Sequence, residues 1–255
     1  MENQSITNEI EKLEIISRFH KAVKGRAADL SGFHSKHAGA EGHWLEEKMG
    51  VGRNSSNSPD ILGYEMKSNT ASKTSFGDWS ASLYIYNTDD NIDRSQFMQA
   101  FGQFNESKQR YSWSGKPCPK ISGFNEYGQI LKIGDNGDIT ALYSFSEDKR
   151  ENKCDLVPYR YQVDNLALAI WQAEDLKSKV EDKFNQKGWF ICLKNENGRY
   201  DRIAFGPPIT YSSFLEMVGA GEVYFDSGMH EGNPRNYSQW RANNTVWYEM
   251  ILETY

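Results

Sequence analysis

The sequence predicts an α/β (α+β) fold, a mixed central sheet flanked by helices. Three observations predict it. Stretches with apolar residues at helical spacing open the chain and recur through it. Between them lie short alternating or continuous apolar runs bounded by turn residues, which read as strands. At 255 residues the chain is long enough to bury a core without disulfides or a structural metal.

The elements follow in order. Ile6, Ile10, Leu13, Ile16, His20 and Val23 stand at helical spacing over 6–24, so a helix with that inward stripe is expected. After a Gly-, Ser- and His-rich loop, a short helix from about Ala40 to Met49 turns Trp44, Leu45 and Met49 inward. Residues 50–59 are a polar connector. Residues 61–67 are extended, with a turn at Gly63, and 82–87 alternate as a strand. Asp93 suits the N-cap of a helix carrying Phe97, Phe101 and Phe104. Residues 128–133 and 139–145 form a hairpin around Asp135-Asn136-Gly137-Asp138. A long helix from Asp164 to about Phe184 has Leu166, Ile170, Ala173, Leu176 and Val180 as its stripe. Residues 188–194 are a buried strand and Tyr200–Phe205 another. Thr210 caps a helix with Phe214, Leu215 and Val218. Val223–Asp226 and Thr245–Leu252 are closing strands, separated by a polar loop.

Composition excludes several classes. No run of roughly 20 apolar residues exists to span a membrane, and the acidic, amphipathic N-terminus lacks the features of a signal peptide. Cys118, Cys154 and Cys192 make no CxxC pair and no disulfide framework, which fits a reducing cytoplasm. A net charge of −6 argues against indiscriminate binding to polyanions. It leaves room for a nucleic-acid enzyme whose metal-holding carboxylates dominate the sum.

The informative segment is Pro59-Asp60-Ile61-Leu62-Gly63-Tyr64-Glu65-Met66-Lys67. On a strand, Glu65 and Lys67 share one face while Tyr64 and Met66 point to the core. A turn at Gly63 folds Asp60 back beside Glu65. Two carboxylates and an ammonium then converge, a set suited to metal-assisted phosphodiester hydrolysis. Hard carboxylate oxygens bind Mg²⁺, and a lysine orients the attacking water and stabilises the charged transition state. The bare pattern Asp/Glu-x-Lys carries little, because it also ends at Lys48, Lys108, Lys149, Lys153, Lys177 and Lys183, on faces that read as solvated surface. The copy ending at Lys67 alone has the upstream Asp, the extended alternation and the preceding Pro. Its bland rival is a surface strand with an exposed Glu–Lys pair.

Upstream, Gly42-His43-Trp44-Leu45-Glu46-Glu47-Lys48-Met49-Gly50 is a short acidic helix joined by a turn-rich linker to that strand. A helical Glu before Pro-Asp and Glu-x-Lys resembles the MutH-like branch of the PD-(D/E)xK nucleases, and within it the MvaI/BcnI group of type II restriction endonucleases. The resemblance implies Asp60, Glu65, Lys67 and Glu46 as catalytic residues. Asp60 and Glu65 would be Mg²⁺ ligands, Lys67 the water-orienting group and Glu46 a supporting acid. It extends to the C-terminus, where that group carries an Arg-Asn-His-Gly-like stretch on a loop entering the major groove. Here the run is His230-Glu231-Gly232-Asn233-Pro234-Arg235-Asn236-Tyr237-Ser238, with Tyr237 and Ser238 in place of the His and Gly. Arg can bond guanine and Asn adenine through their major-groove edges, so His230, Arg235, Asn236, Tyr237 and Arg241 are DNA-binding candidates. Lys73, in the hydroxyl-rich run after the Lys67 strand, is a phosphate-contact candidate.

The resemblance further implies double-stranded DNA as partner and a short C/G-rich, CCNGG-like site. It implies a prokaryotic monomer that cuts the strands in succession, leaving 5′-phosphate and 3′-hydroxyl ends, with a cognate methyltransferase in the same system. One domain over 1–255 is expected, with a catalytic lobe over about 1–110, a recognition lobe over about 195–255, DNA between them, and 111–194 unassigned. The rivals are a mismatch-repair nickase of the MutH kind and a non-catalytic DNA-binding protein on the same fold. The basic, aromatic stretch 104–120 reads equally as a DNA-backbone track or a solvated loop. His34, His37 and His43 have poor spacing for zinc.

Overall fold

A computed structural model describes residues 2–31, 39–52 and 56–255. In chain order the elements are α1 (Glu2–Ala22), α2 (Ala40–Met49), β1 (Glu65–Ser68), β2 (Lys73–Asp78), β3 (Leu83–Tyr84), α3 (Ile85–Thr88), α4 (Arg94–Phe101), β4 (Gln103–Asn105), β5 (Arg110–Ser114), β6 (Tyr127–Ile133), β7 (Ile139–Asp148), α5 (Lys153–Leu156), β8 (Leu166–Trp171), α6 (Ala173–Phe184), β9 (Trp189–Lys194), β10 (Tyr200–Gly206), α7 (Tyr211–Gly219), β11 (Val223–His230), β12 (Ser238–Asn243), α8 (Asn244–Glu249) and β13 (Glu253–Thr254). The class is mixed α+β, as the sequence predicts. Among the described residues no helix is long and apolar enough to cross a membrane.

The chain divides into two compact units, each discontinuous in sequence. The first comprises residues 1–74, 179–210 and 243–255 and the second 75–178 and 211–242.

The first unit is built on the sheet β1-β9-β10-β13. β1 runs parallel to β9, with Glu65 opposite Trp189 and Lys67 opposite Ile191, and β10 is antiparallel to β9. One face of this sheet holds a core of Met66, Phe190, Cys192, Ile203 and Phe205, covered by Ile15, Phe19 and Val23 of the α1 region and Trp44, Leu45 and Met49 of α2. The inward residues of α2 are those the sequence predicts. For α1 the expected stripe is inward only in part: Ile16 and Val23 pack on the core, whereas Ile6, Ile10 and Leu13 are 59%, 60% and 54% exposed and Ile15 and Phe19 are fully buried instead. The buried side of the helix carries the large Phe19 ring beside Ile15 and leads into Val23.

The second unit contains the sheet β3-β8-β7-β6 and most of β2-β12-β11-β5-β4. Its core is aromatic: Trp171 meets Phe225 and Trp240 edge-on, with ring centroids 4.8 and 5.3 Å apart. The β6–β7 hairpin pairs as expected, and Asp93 closes a capping box with Gln96 at the start of α4.

Other expected elements differ as well: α4 ends at Phe101, and Phe104, expected on it, lies exposed in β4. The stretch 164–184 is not one helix but strand β8 followed by α6. Leu166–Trp171 is apolar almost throughout, which suits a strand paired on both sides as well as a helix, and β3 and β7 supply the partners. The strand expected over 82–87 stops at Tyr84 and gives way to α3. At the C-terminus the strand is Ser238–Asn243, paired with β11, and Asn244–Glu249 is helical. The polar loop is therefore shorter than expected, because β11 runs to His230 and β12 begins at Ser238.

Candidate active site

Asp60, Glu65 and Lys67 meet through a two-residue reversal. Ile61 and Tyr64 exchange backbone hydrogen bonds of 3.1 and 2.8 Å. Leu62 and Gly63 turn between them with φ +50° and +82°, the doubly positive geometry of a tight hairpin turn. Glycine adopts it freely, whereas Leu62 carries strain. The reversal sends Asp60 back along β1, where its Oδ2 accepts a 2.9 Å bond from the Met66 amide. Strand alternation then separates the side chains. Tyr64 and Met66 enter the core; Glu65 and Lys67 occupy the other face, buried at 3% and 6% exposure.

Lys67 donates to Glu65 Oε1 at 2.9 Å. A second ammonium, Lys183 of α6, reaches the same oxygen at 3.0 Å. The Lys67 ammonium also lies 4.8 Å from the Phe184 ring centroid and 5.6 Å from that of Trp247, within cation–π range. Trp247 is itself fixed, its indole N–H donating to the Thr74 carbonyl at 3.3 Å. Asn244, at the start of α8, ties down the chain after β1: its side chain donates to the Thr70 carbonyl at 2.7 Å and accepts from Thr70 and Thr74 hydroxyls.

Electrostatics sort the groups. Burial and the neighbouring Glu65 charge push the Asp60 carboxyl up to about 7, against the bond from the Met66 amide. Burial alone would raise Glu65 too, but the Lys67 and Lys183 ammoniums outweigh it and hold that carboxyl below the ordinary range. Burial depresses Lys67 below the usual lysine value despite its bond to Glu65. Glu65 Oε2 is buried with no hydrogen-bond partner. An unsatisfied carboxylate oxygen beside a second carboxyl that resists ionisation is a costly arrangement in an apo protein. A hard cation would relieve both costs, so the donor set fits Mg²⁺, which typically takes one or two carboxylates and completes its shell with water and phosphate oxygens.

The other predicted residues lie elsewhere. Glu46, on the half-exposed side of α2, meets His43 Nδ1 at 3.1 Å. Among the described residues no three His, Cys, Asp or Glu side chains gather to hold a metal ion, so Glu46 does not join Asp60 and Glu65 in such a group. His34 and His37, considered for zinc, lie outside the described residues. Lys73 opens β2, and its carbonyl accepts from the Thr70 hydroxyl.

The C-terminal candidates belong to the second unit. His230 ends β11, and Arg235, Asn236 and Tyr237 follow in the connection to β12, where Tyr237 has φ +48°. Arg235 is exposed, pairs with Asp78 at 2.6 Å and lies over the Tyr237 ring. Asn236 Oδ1 accepts from Tyr86 and Arg94. Arg241 is not in the loop but on β12, paired with Asp226 at 3.2 Å. In the stretch 104–120, Arg110–Ser114 is a strand that buries Trp113 completely.

Lys183 is the residue that sequence reasoning missed. It closes one of the Asp/Glu-x-Lys copies read as wet helix surface. The available signal was its neighbour Phe184, an aromatic in the last turn of α6 that had to be buried.

Comparison with known proteins bears on these sites. A family model described as LlaMI restriction endonuclease matches residues 23–255. The chain is 45% identical over 264 aligned positions to the type II restriction enzyme ScrFI of Lactococcus lactis subsp. cremoris, covering 95% of this chain and 97% of that one. Its fold is similar to the restriction endonuclease MvaI solved with its cognate DNA substrate. There the TM-score is 0.62 at 12% identity, covering 97% of each chain.

Proposed function

Because the chain belongs to the LlaMI restriction endonuclease family, and so to the type II restriction endonucleases, we propose that Asp60, Glu65 and Lys67 are its catalytic centre. In this reading it performs Mg²⁺-dependent hydrolysis of phosphodiester bonds in double-stranded DNA. The site cut is short and C/G-rich, of the CCNGG kind. The protein acts as a monomer that cuts the strands in succession, in a prokaryotic cytoplasm that also holds a protecting methyltransferase. The observation that carries the reading is the convergence of a half-buried Asp60 with the buried Glu65 and Lys67, with Glu65 Oε2 left without a hydrogen-bond partner.

Asp60 and Glu65 would hold Mg²⁺, which when bound supplies Lewis-acid activation of water and charge screening at the phosphate. The chain's own groups do the rest. Glu65 Oε1 takes both ammoniums, which leaves Oε2 directed away from them as a ligand oxygen. Lys67, held between Glu65 and two aromatic rings, orients the attacking water and faces the charge that builds on the phosphate oxygens. Its depressed pKa lets it share in moving the water's proton. Water adds to phosphorus, the bond to the 3′ oxygen breaks, and that oxygen takes up a proton, giving 5′-phosphate and 3′-hydroxyl ends. Lys183 holds Glu65 and sets its charge. Glu46 acts from α2 as a supporting acid, and His230, Arg235, Asn236, Tyr237, Arg241 and Lys73 form the DNA contacts.

The test is cleavage of plasmid and oligonucleotide duplexes by the purified protein with Mg²⁺ or with EDTA, followed by mapping of the ends. Cuts at one short sequence, lost in EDTA and in Lys67→Ala, are expected. Metal-independent cutting, or ends scattered over the duplex, would overturn the reading.

A further inference from the structure

The connection Glu231–Tyr237 between β11 and β12 has no regular structure, yet one side chain spans it. The Arg94 guanidinium, at the first position of α4, donates to the His230 carbonyl at 3.4 Å, the Arg235 carbonyl at 3.2 Å and Asn236 Oδ1 at 3.1 Å. The first of these lies where the connection begins and the other two where it ends. Around this centre Glu231 is fastened too: Ser95 donates to Oε1 at 2.8 Å and the Tyr111 amide to Oε2 at 2.8 Å. Tyr86 adds a bond to Asn236 Oδ1 at 3.2 Å and stacks on Tyr84. Asp93 and Gln96 fix the turn from which Arg94 projects.

A guanidinium suits this task because its donors lie in a rigid planar fork. It can hold two carbonyls and a side-chain amide in one fixed relation, which three rotatable ammonium protons on a flexible stem cannot do. The contacts also occupy the Asn236 oxygen, so that side chain serves the loop's shape.

We infer that Arg94 is a specificity-determining positioning residue: it sets the spacing of the His230–Tyr237 connection, and so the placement of Arg235, without touching a base itself. The inference rests on the proposal that this connection reads DNA. A loop held in its binding conformation avoids the ordering cost on association. A loop released from Arg94 keeps its charges but loses the geometry that separates a correct base pair from a wrong one.

The experiment measures single-turnover cleavage by the full-length protein in Mg²⁺, on the mapped site and on duplexes with one base pair changed. The variants are Arg94→Lys, Tyr86→Phe and Arg235→Ala, each checked by thermal melting. The ratio of rates on mapped and altered sites should fall by about tenfold in Arg94→Lys, less in Tyr86→Phe, and as much in Arg235→Ala. If Arg235→Ala lowers the ratio and Arg94→Lys leaves it intact, the role given to Arg94 is wrong while the loop remains the reader. If no variant changes the ratio, the loop does not read DNA and both ideas fail. Equal loss on every duplex would likewise overturn the assignment, since a backbone contact or a merely structural role slows all substrates alike. Should Arg94→Lys not fold, Tyr86→Phe decides, an unchanged ratio counting against the inference.

Discussion

Asp60→Asn should stabilise the metal-free protein at alkaline pH while abolishing its cleavage. The folded-state carboxyl lies at about 7 against an ordinary 3.8, raised by burial and by Glu65. A carboxyl raised on folding binds its proton more tightly in the native state than in the unfolded one. Between pH 4 and 7 the native state therefore holds the extra proton, and stability falls as pH rises. A difference of about 3 units at 1.36 kcal/mol each gives a loss on the order of 4 kcal/mol, complete above pH 7. Asparagine removes the titration and retains an oxygen for the Met66 amide. In EDTA, urea denaturation of the two proteins should give matching stabilities near pH 4. By pH 8 the variant should lead by a few kcal/mol. Mg²⁺ competes with the same proton, so it should stabilise the native enzyme far more at pH 8 than at pH 6 and have little effect on the variant. A stability difference that does not change with pH, or metal stabilisation that survives in the variant, would refute the argument that Asp60 is a strained ligand.

Lys67→Ala should lose cleavage by at least about a hundredfold while mapped-site DNA binding persists in a gel-shift assay; robust cutting would remove Lys67 from the chemistry. Lys183→Met should slow single-turnover cleavage about tenfold, because Glu65 loses one of the two ammoniums holding its carboxyl down; an unchanged rate would mean that the contact is incidental. Gly188→Ala should cost several kcal/mol in denaturant melts: Gly188 has φ +98° and an added Cβ would lie 2.4 Å from the Gly206 carbonyl oxygen, so a change under about 1 kcal/mol would contradict that close approach.

Much of this protein is legible in its sequence. The reversal at Gly63 and the placing of Tyr64 and Met66 on one face with Glu65 and Lys67 on the other follow from turn chemistry and the two-residue period of a strand. So do the Asp93 cap and the hairpin over 128–145. What failed were choices that local pattern leaves open. Leu166–Trp171 satisfies both periods, and the strands waiting on either side decided for β. Helix α1 has apolar residues on more than one face, and their spacing alone does not say which face meets a sheet. Asn244–Glu249 is short, with weak propensity either way, and is helical because Asn244 turns back to bond Thr70 and Thr74.

Local pattern is enough to place Glu65 and Lys67 together on one face of β1, because strand alternation and a Gly-containing turn act over a few residues and need no distant partner. Only the tertiary structure decided what surrounds that strand. Lys183 arrives from 116 positions away to share a carboxylate oxygen with Lys67, and Arg94 reaches the His230–Asn236 connection across more than 130. Such contacts depend on how whole elements pack, and a charged side chain at a helix end looks the same in sequence whether it meets water or a buried carboxylate.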